Sequence, residues 1–167
     1  MYIPKKLQQN FELSKEKLVV GNIIVNGSLS CCGQSDFAIH YLGELVYSLL
    51  GRKIINVENE ALVFIATCKI CGKKIQVFNS YTDGYDGCIN CENGYHEPPL
   101  PELTSFLCPK CLKNVFSIEI TFEYQSKEEL EEDGVQEYEN AFSWIWISLT
   151  CSSCKRKLKS LIDMETA

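Results

Sequence analysis

The sequence predicts an α+β protein, mostly β, in which antiparallel sheets follow a small N-terminal α+β lobe. Three observations carry this expectation. Apolar and polar residues alternate without a break from Val115 to Gln125, a second β-rich run covers Ala141 to Thr150, and four Cys-x-x-Cys pairs sit beside runs of this kind.

Residues 1–60 are the expected lobe. Val19-Val20 and Ile23-Ile24-Val25 lead to Asn26-Gly27, a dipeptide that suits a tight hairpin turn because both positions tolerate positive φ. Phe37, Ile39 and Tyr41 alternate with Ala38 and His40 as a strand does, whereas Leu42 to Leu50 reads as a short helix ended by Gly51. In residues 61–97, Ala61 to Thr67 enters Cys68-Lys69-Ile70-Cys71-Gly72, and Lys74 to Phe78 leaves it as a second strand. A loop at residues 83–87 then leads into Cys88-Ile89-Asn90-Cys91. Residues 98–104, with Pro98, Pro99 and Pro101, read as a linker.

Residues 105–167 form the second unit. Phe116, Ile118, Ile120, Phe122 and Tyr124 share one face of a half-buried strand. Its expected partner places Phe142, Trp144 and Trp146 on one face and Ile145, Ile147 and Leu149 on the other, so it should be a central strand. Between them, Lys127 to Asn140 carries seven carboxylates and one lysine and reads as a solvated excursion at the hairpin tip.

Eight of the ten cysteines belong to the four Cys-x-x-Cys pairs. Such a turn can aim both sulfurs at one tetrahedral ion, so four of them supply two complete shells. Proximity in sequence assigns Cys68, Cys71, Cys88 and Cys91 to one site and Cys108, Cys111, Cys151 and Cys154 to the other. A crossed pairing, with Cys68 and Cys71 joined to Cys151 and Cys154, also satisfies the spacing. Cys31-Cys32-Gly33 fits neither set: adjacent side chains of an extended segment point to opposite faces, so at least one thiol reads as a small core residue. A reactive thiol or a partial third site is the alternative. His40 and His96 read as structural or loop histidines beside so many sulfurs.

The segments Cys68-Lys69-Ile70-Cys71-Gly72 and Cys108-Pro109-Lys110-Cys111 resemble the knuckles of the zinc-ribbon and rubredoxin-like superfamily over residues 61–91 and 105–155. The whole arrangement is similar to small bacterial proteins with two zinc ribbons, a likeness that transfers no activity. The resemblance implies the eight paired cysteines as ligands of two structural Zn²⁺ ions. It departs from the pattern at Leu112, where a knuckle glycine is common, at Glu92 and at Lys155.

Four thiolates leave no coordination position for water, so the expectation is a protein that is not an enzyme. No window of about 18 apolar residues and no leader-like N-terminus is present, which together with reduced thiols predicts a cytoplasmic protein with no membrane partner. The formal charge is −6, and eight metal-bound thiolates with two divalent ions would take it to about −10. That balance points to a protein partner with a basic surface, as an immunity protein meets a basic toxin, and disfavours nucleic acid. Lys155, Arg156, Lys157 and Lys159 are the one basic cluster along the chain and are expected to offset the charge of the neighbouring centre. Two other functions remain open: a zinc ribbon that binds nucleic acid, and an electron carrier with iron in the same sulfur shell.

Overall fold

The computed structural model describes residues 9–14, 17–19, 22–49, 51–55, 61–80, 82–83, 101–134 and 142–166. The strands are β1 (Phe11–Leu13), β2 (Lys17–Val19), β3 (Asn22–Leu29), β4 (Phe37–Leu42), β5 (Glu44–Ser48), β6 (Gly51–Ile55), β7 (Val63–Cys68) and β8 (Lys74–Asn79). They continue as β9 (Thr104–Ser105), β10 (Phe116–Tyr124), β11 (Trp144–Cys151) and β12 (Lys157–Glu165), with a short helix α1 (Lys127–Glu132) between β10 and β11. Ten strands form one curled sheet and β5–β6 a separate hairpin. Every pairing is antiparallel.

The alternation that begins at Val115 becomes β10, the hub of the sheet. One edge of β10 pairs with β11 from Phe116↔Cys151 to Glu123↔Trp144. The other edge is divided: β3 takes Glu119 to Tyr124, while β4 meets it at Phe116↔Phe37. Its inward face, Phe116, Ile118, Ile120, Phe122 and Tyr124, is buried, and each such side chain contributes roughly 1.5–3 kcal/mol. Phe122 anchors an aromatic cluster, with ring centroids 6.1 Å from Phe11 and 5.1 Å from Phe142. Beyond Phe37 the free edge of β4 is completed by the Asn114 side chain, whose amide accepts from Ile39 N and donates to Ile39 O, and then by β9.

Strand β11 lies between β10 and β12, as its two apolar faces predict. Its outer face carries Trp144 and Trp146, half-buried and stacked at 5.6 Å. Trp144 Nε1 donates to Asp163, which also pairs with Lys53 of β6 at 2.7 Å.

Two expectations are corrected. Asn26-Gly27 is not a turn; both residues lie inside β3. The glycine serves close packing, because a Cβ there would stand 3.1 Å from Leu13 Cδ2 and 3.2 Å from Phe11 Cβ on β1. Residues 42–49 are not helical either. β5 pairs with β6 through Tyr47↔Arg52, whose guanidinium lies 4.8 Å from the ring, and Ile54 is buried in the core. Cross-strand partners available five residues away outweigh a weak helical preference. The acidic excursion is solvated over its described residues 127–134, all of them exposed except Leu130. A Ser126–Glu129 capping box starts α1, and Leu130 is buried. No helix among the described residues is long and apolar enough to cross a membrane.

Candidate metal centres

Three Cys-x-x-Cys segments fold into the same knuckle. In each, the first cysteine's N–H donates to the carbonyl five residues on: Cys68 to Lys73, Cys108 to Lys113 and Cys151 to Arg156, all at 2.9 Å. In each, the residue four positions on returns its N–H to that cysteine's carbonyl, from Gly72, Leu112 and Lys155. This return needs a left-handed residue, and φ is +73° at Gly72, +59° at Leu112 and +59° at Lys155. The missing glycines therefore leave the knuckle intact and place two L-residues in a strained conformation.

The strands decide which knuckles meet. Because β10 and β11 pair in register, the knuckle before β10 and the one joining β11 to β12 arrive at one end of the hairpin. Cys108, Cys111, Cys151 and Cys154 come together there, their sulfurs all within 4.8 Å of one another. The Cys108–Cys154 and Cys111–Cys151 separations are 3.5 Å. A Zn–S bond of about 2.3 Å implies a tetrahedral edge of about 3.8 Å, so the four sulfurs are spaced for one ion. Cys108 and Cys151 are fully buried.

The second cluster has a different membership. Cys68 and Cys71, in the knuckle between β7 and β8, meet Cys31 and Cys32, again within 4.8 Å. Cys88 and Cys91, expected in this site, lie outside the described residues. The adjacent cysteines do not diverge as an extended segment would require. Cys31 and Gln34 exchange backbone hydrogen bonds at 3.0 and 3.1 Å around the two-residue loop Cys32-Gly33. Both loop residues have positive φ, +56° and +69°, the signature of a type I′ hairpin turn. The turn brings both thiols to one side, with Cys31 Sγ 3.8 Å from Cys32 Sγ and 3.7 Å from Cys71 Sγ. Gln34 Nε2 donates to Cys68 Sγ at 3.1 Å, a second contact that orients a ligand. The glycine after Cys32, between two alternating segments, was the available sequence signal.

Within each cluster the sulfurs are unequal: some thiols are pulled down and others pushed up. Backbone N–H groups of Cys71 and Ile70 aim at Cys68 and bring its thiol down to about 6. Cys108 is likewise at about 6, because the N–H groups of Lys110 and Cys111 together outweigh its desolvation. Desolvation and the neighbouring sulfurs push Cys31 up to about 12, and Cys71 and other neighbours raise Cys32. Cys111 is also pushed up to about 12, since desolvation and three sulfurs overcome the N–H of Lys113. Cys68 and Cys108 therefore ionise readily, whereas Cys31, Cys32 and Cys111 become thiolates most easily beside a divalent cation. The two Cys₄ clusters could therefore each hold a metal ion, and their donors suit Zn²⁺ or another thiophilic ion.

The two centres share one end of the sheet. Cys68, Phe37, Phe116 and Cys151 lie opposite one another across β7, β4, β10 and β11, so three strand spacings, about 14 Å, separate the first and last. Asp36 joins the two knuckles: its carbonyl accepts from Lys69 N at 3.1 Å and its carboxylate from Ser152 Oγ. His40 sits in β4 opposite Ile65, and His96 lies outside the described residues.

The chain matches no protein-family model, and no curated protein or solved structure matches it.

Proposed function

We propose that this is a non-enzymatic, cytoplasmic binding protein whose two sulfur clusters are structural zinc sites. The single observation that supports it is spacing: in each cluster two S···S separations of 3.5–3.8 Å match the edge of a ZnS₄ tetrahedron, and all four sulfurs lie within 4.8 Å of one another. Four sulfurs around one ion leave no place for a reacting water. Neither of the two described cavities, about 330 and 530 Å³, has a cysteine in its wall. Zinc then supplies what the β scaffold lacks, since apparent binding energies of roughly 10–16 kcal/mol exceed a typical domain's net stability of about 5–15 kcal/mol.

The scaffold's acidic end, where α1 presents Glu128, Glu131 and Glu132 to solvent, is the surface offered to a basic protein partner. Two measurements test this reading. Chelation should abolish the cooperative unfolding transition, and readdition of zinc should restore it; a protein that stays cooperatively folded when metal-free overturns the structural role. Glu128→Gln, Glu131→Gln and Glu132→Gln together should abolish low-salt recovery of the partner, and unchanged recovery removes α1 from the interface.

A further inference from the structure

We infer that the end of the sheet bearing both sulfur centres is a nucleic-acid-binding surface, an assignment that rests on the two-site scaffold reading above. Each knuckle presents two exposed cations: Lys69 and Lys73 on the first, Lys110 and Lys113 on the second, Lys155 and Arg156 on the third. No carboxylate occurs within residues 68–74, 108–113 or 151–157. Lys155 and Arg156, from the cluster visible along the chain at Lys155 to Lys159, are thus one third of a larger patch that only the fold assembles. Asp36 joins the first knuckle to the third through its carbonyl and its carboxylate, and is the one exposed acidic group that contacts them among the described residues.

The overall charge of −6 does not argue against this surface. The acidic helix begins three residues beyond the far end of β10, and nine residues of strand place that end about 27 Å from the knuckles. At physiological ionic strength fields decay over about 8 Å, so a ligand at the knuckles meets local charge rather than net charge. Each zinc tetrathiolate would carry two negative charges; Cys68, Cys108 and Cys151 are buried, and the six cations of the knuckles are exposed around the partly exposed Cys31, Cys111 and Cys154 and the exposed Cys32 and Cys71. Six cations against four such charges leave the local balance positive.

The same surface exposes Ile70 and Leu112, each about 70% accessible, beside Lys69 and Lys113. Aliphatic tips among cations can make apolar contact with bases while the cations meet phosphates. A regular string of phosphates can meet cations spread across about 14 Å without a unique register.

The test is fluorescence anisotropy of labelled 20-nucleotide single-stranded DNA and RNA with zinc-loaded protein, with polyglutamate as competitor. Six phosphate contacts predict a slope of log K against log salt near −4, hence a loss on the order of 100-fold between 50 and 200 mM salt. Lys69→Glu, Lys110→Glu and Arg156→Glu together should weaken binding at least tenfold, and Lys17→Glu on β2 should leave it unchanged. If the triple variant fails to retain two zinc ions, single Gln replacements in the intact protein should each reduce the slope by about 0.7. No binding at 50 mM salt, variants indistinguishable from wild type, or equal competition by polyglutamate overturns the assignment. Zinc content is read separately, so metal-free protein that still binds oligonucleotide would sink the metal reading and not this one.

Discussion

The two sulfur centres share one chemistry and are built by different local means. Cys108, Cys111, Cys151 and Cys154 come from two knuckles clamped by the β10–β11 ladder, and two of the four sulfurs sit in residues with no exposure at all. Cys31, Cys32, Cys68 and Cys71 come from one knuckle and one type I′ turn, with Cys32 and Cys71 exposed at the rim. The contrast teaches that equal ligand sets need not be equal in structural weight. The buried centre closes the core, where Cys108 and Cys151 are packed among Phe116 and Leu149; the rim centre ties β3 and β4 to β7.

The largest expected effect is therefore an asymmetry in stability. Cys151→Ser should cost on the order of 5 kcal/mol or more and abolish cooperative urea unfolding, because it removes a ligand and leaves a polar group in the core. Cys32→Ser should cost about 2 kcal/mol and leave a cooperative transition. Equal losses would break the comparison. Kinetics sharpen it next: a colorimetric chelator should release zinc in two phases, the rim ion at least tenfold faster, since its exposed thiolates can be attacked directly. Release in one phase would contradict the exposure argument.

Smaller effects probe the knuckles themselves. Leu112→Gly and Lys155→Gly should each stabilise by about 0.5 kcal/mol, the relief of left-handed strain less glycine's extra unfolded entropy. Gly72→Ala should destabilise by about 1 kcal/mol. Thermal unfolding of the zinc-loaded proteins checks the opposite signs.

The least effect lies far from either centre. The Asp163 carboxyl is partly desolvated, yet the Lys53 ammonium and the Trp144 indole hold it below the usual carboxylate range. Its folded value is depressed, so its contribution is complete above the unfolded carboxylate range, near 3.8, and is lost as pH falls through the lower folded value. Lys53→Met should lower the urea midpoint slightly at pH 6, and the two proteins should converge below about pH 3.

What could be read from the chain divides along the same line as the two centres. A knuckle is local: six residues contain its hydrogen bonds, and the alternation of β10 announces the ladder that brings two knuckles together. The rim centre depends on Cys32 adopting positive φ, which a non-glycine residue rarely does, so adjacency argued for divergence where the turn produces convergence. Leu112 and Lys155 raised the same doubt, and in them the ladder and the paired hydrogen bonds outweigh the strain. Asn26-Gly27 misled in the opposite direction, because a glycine chosen for the approach of Phe11 and Leu13 looks like a glycine chosen for a turn. The basic patch was hidden for a further reason: its six cations are scattered over 88 positions, from Lys69 to Arg156, and only the sheet register aligns them.

The most direct test of the central claim, two four-sulfur metal centres with Cys31 and Cys32 completing the second, is native mass spectrometry of zinc-loaded wild type and of the Cys31→Ser, Cys32→Ser double variant. Two zinc ions in the wild type and one in the variant are expected. Two ions retained in the variant, or none in the wild type, would contradict it.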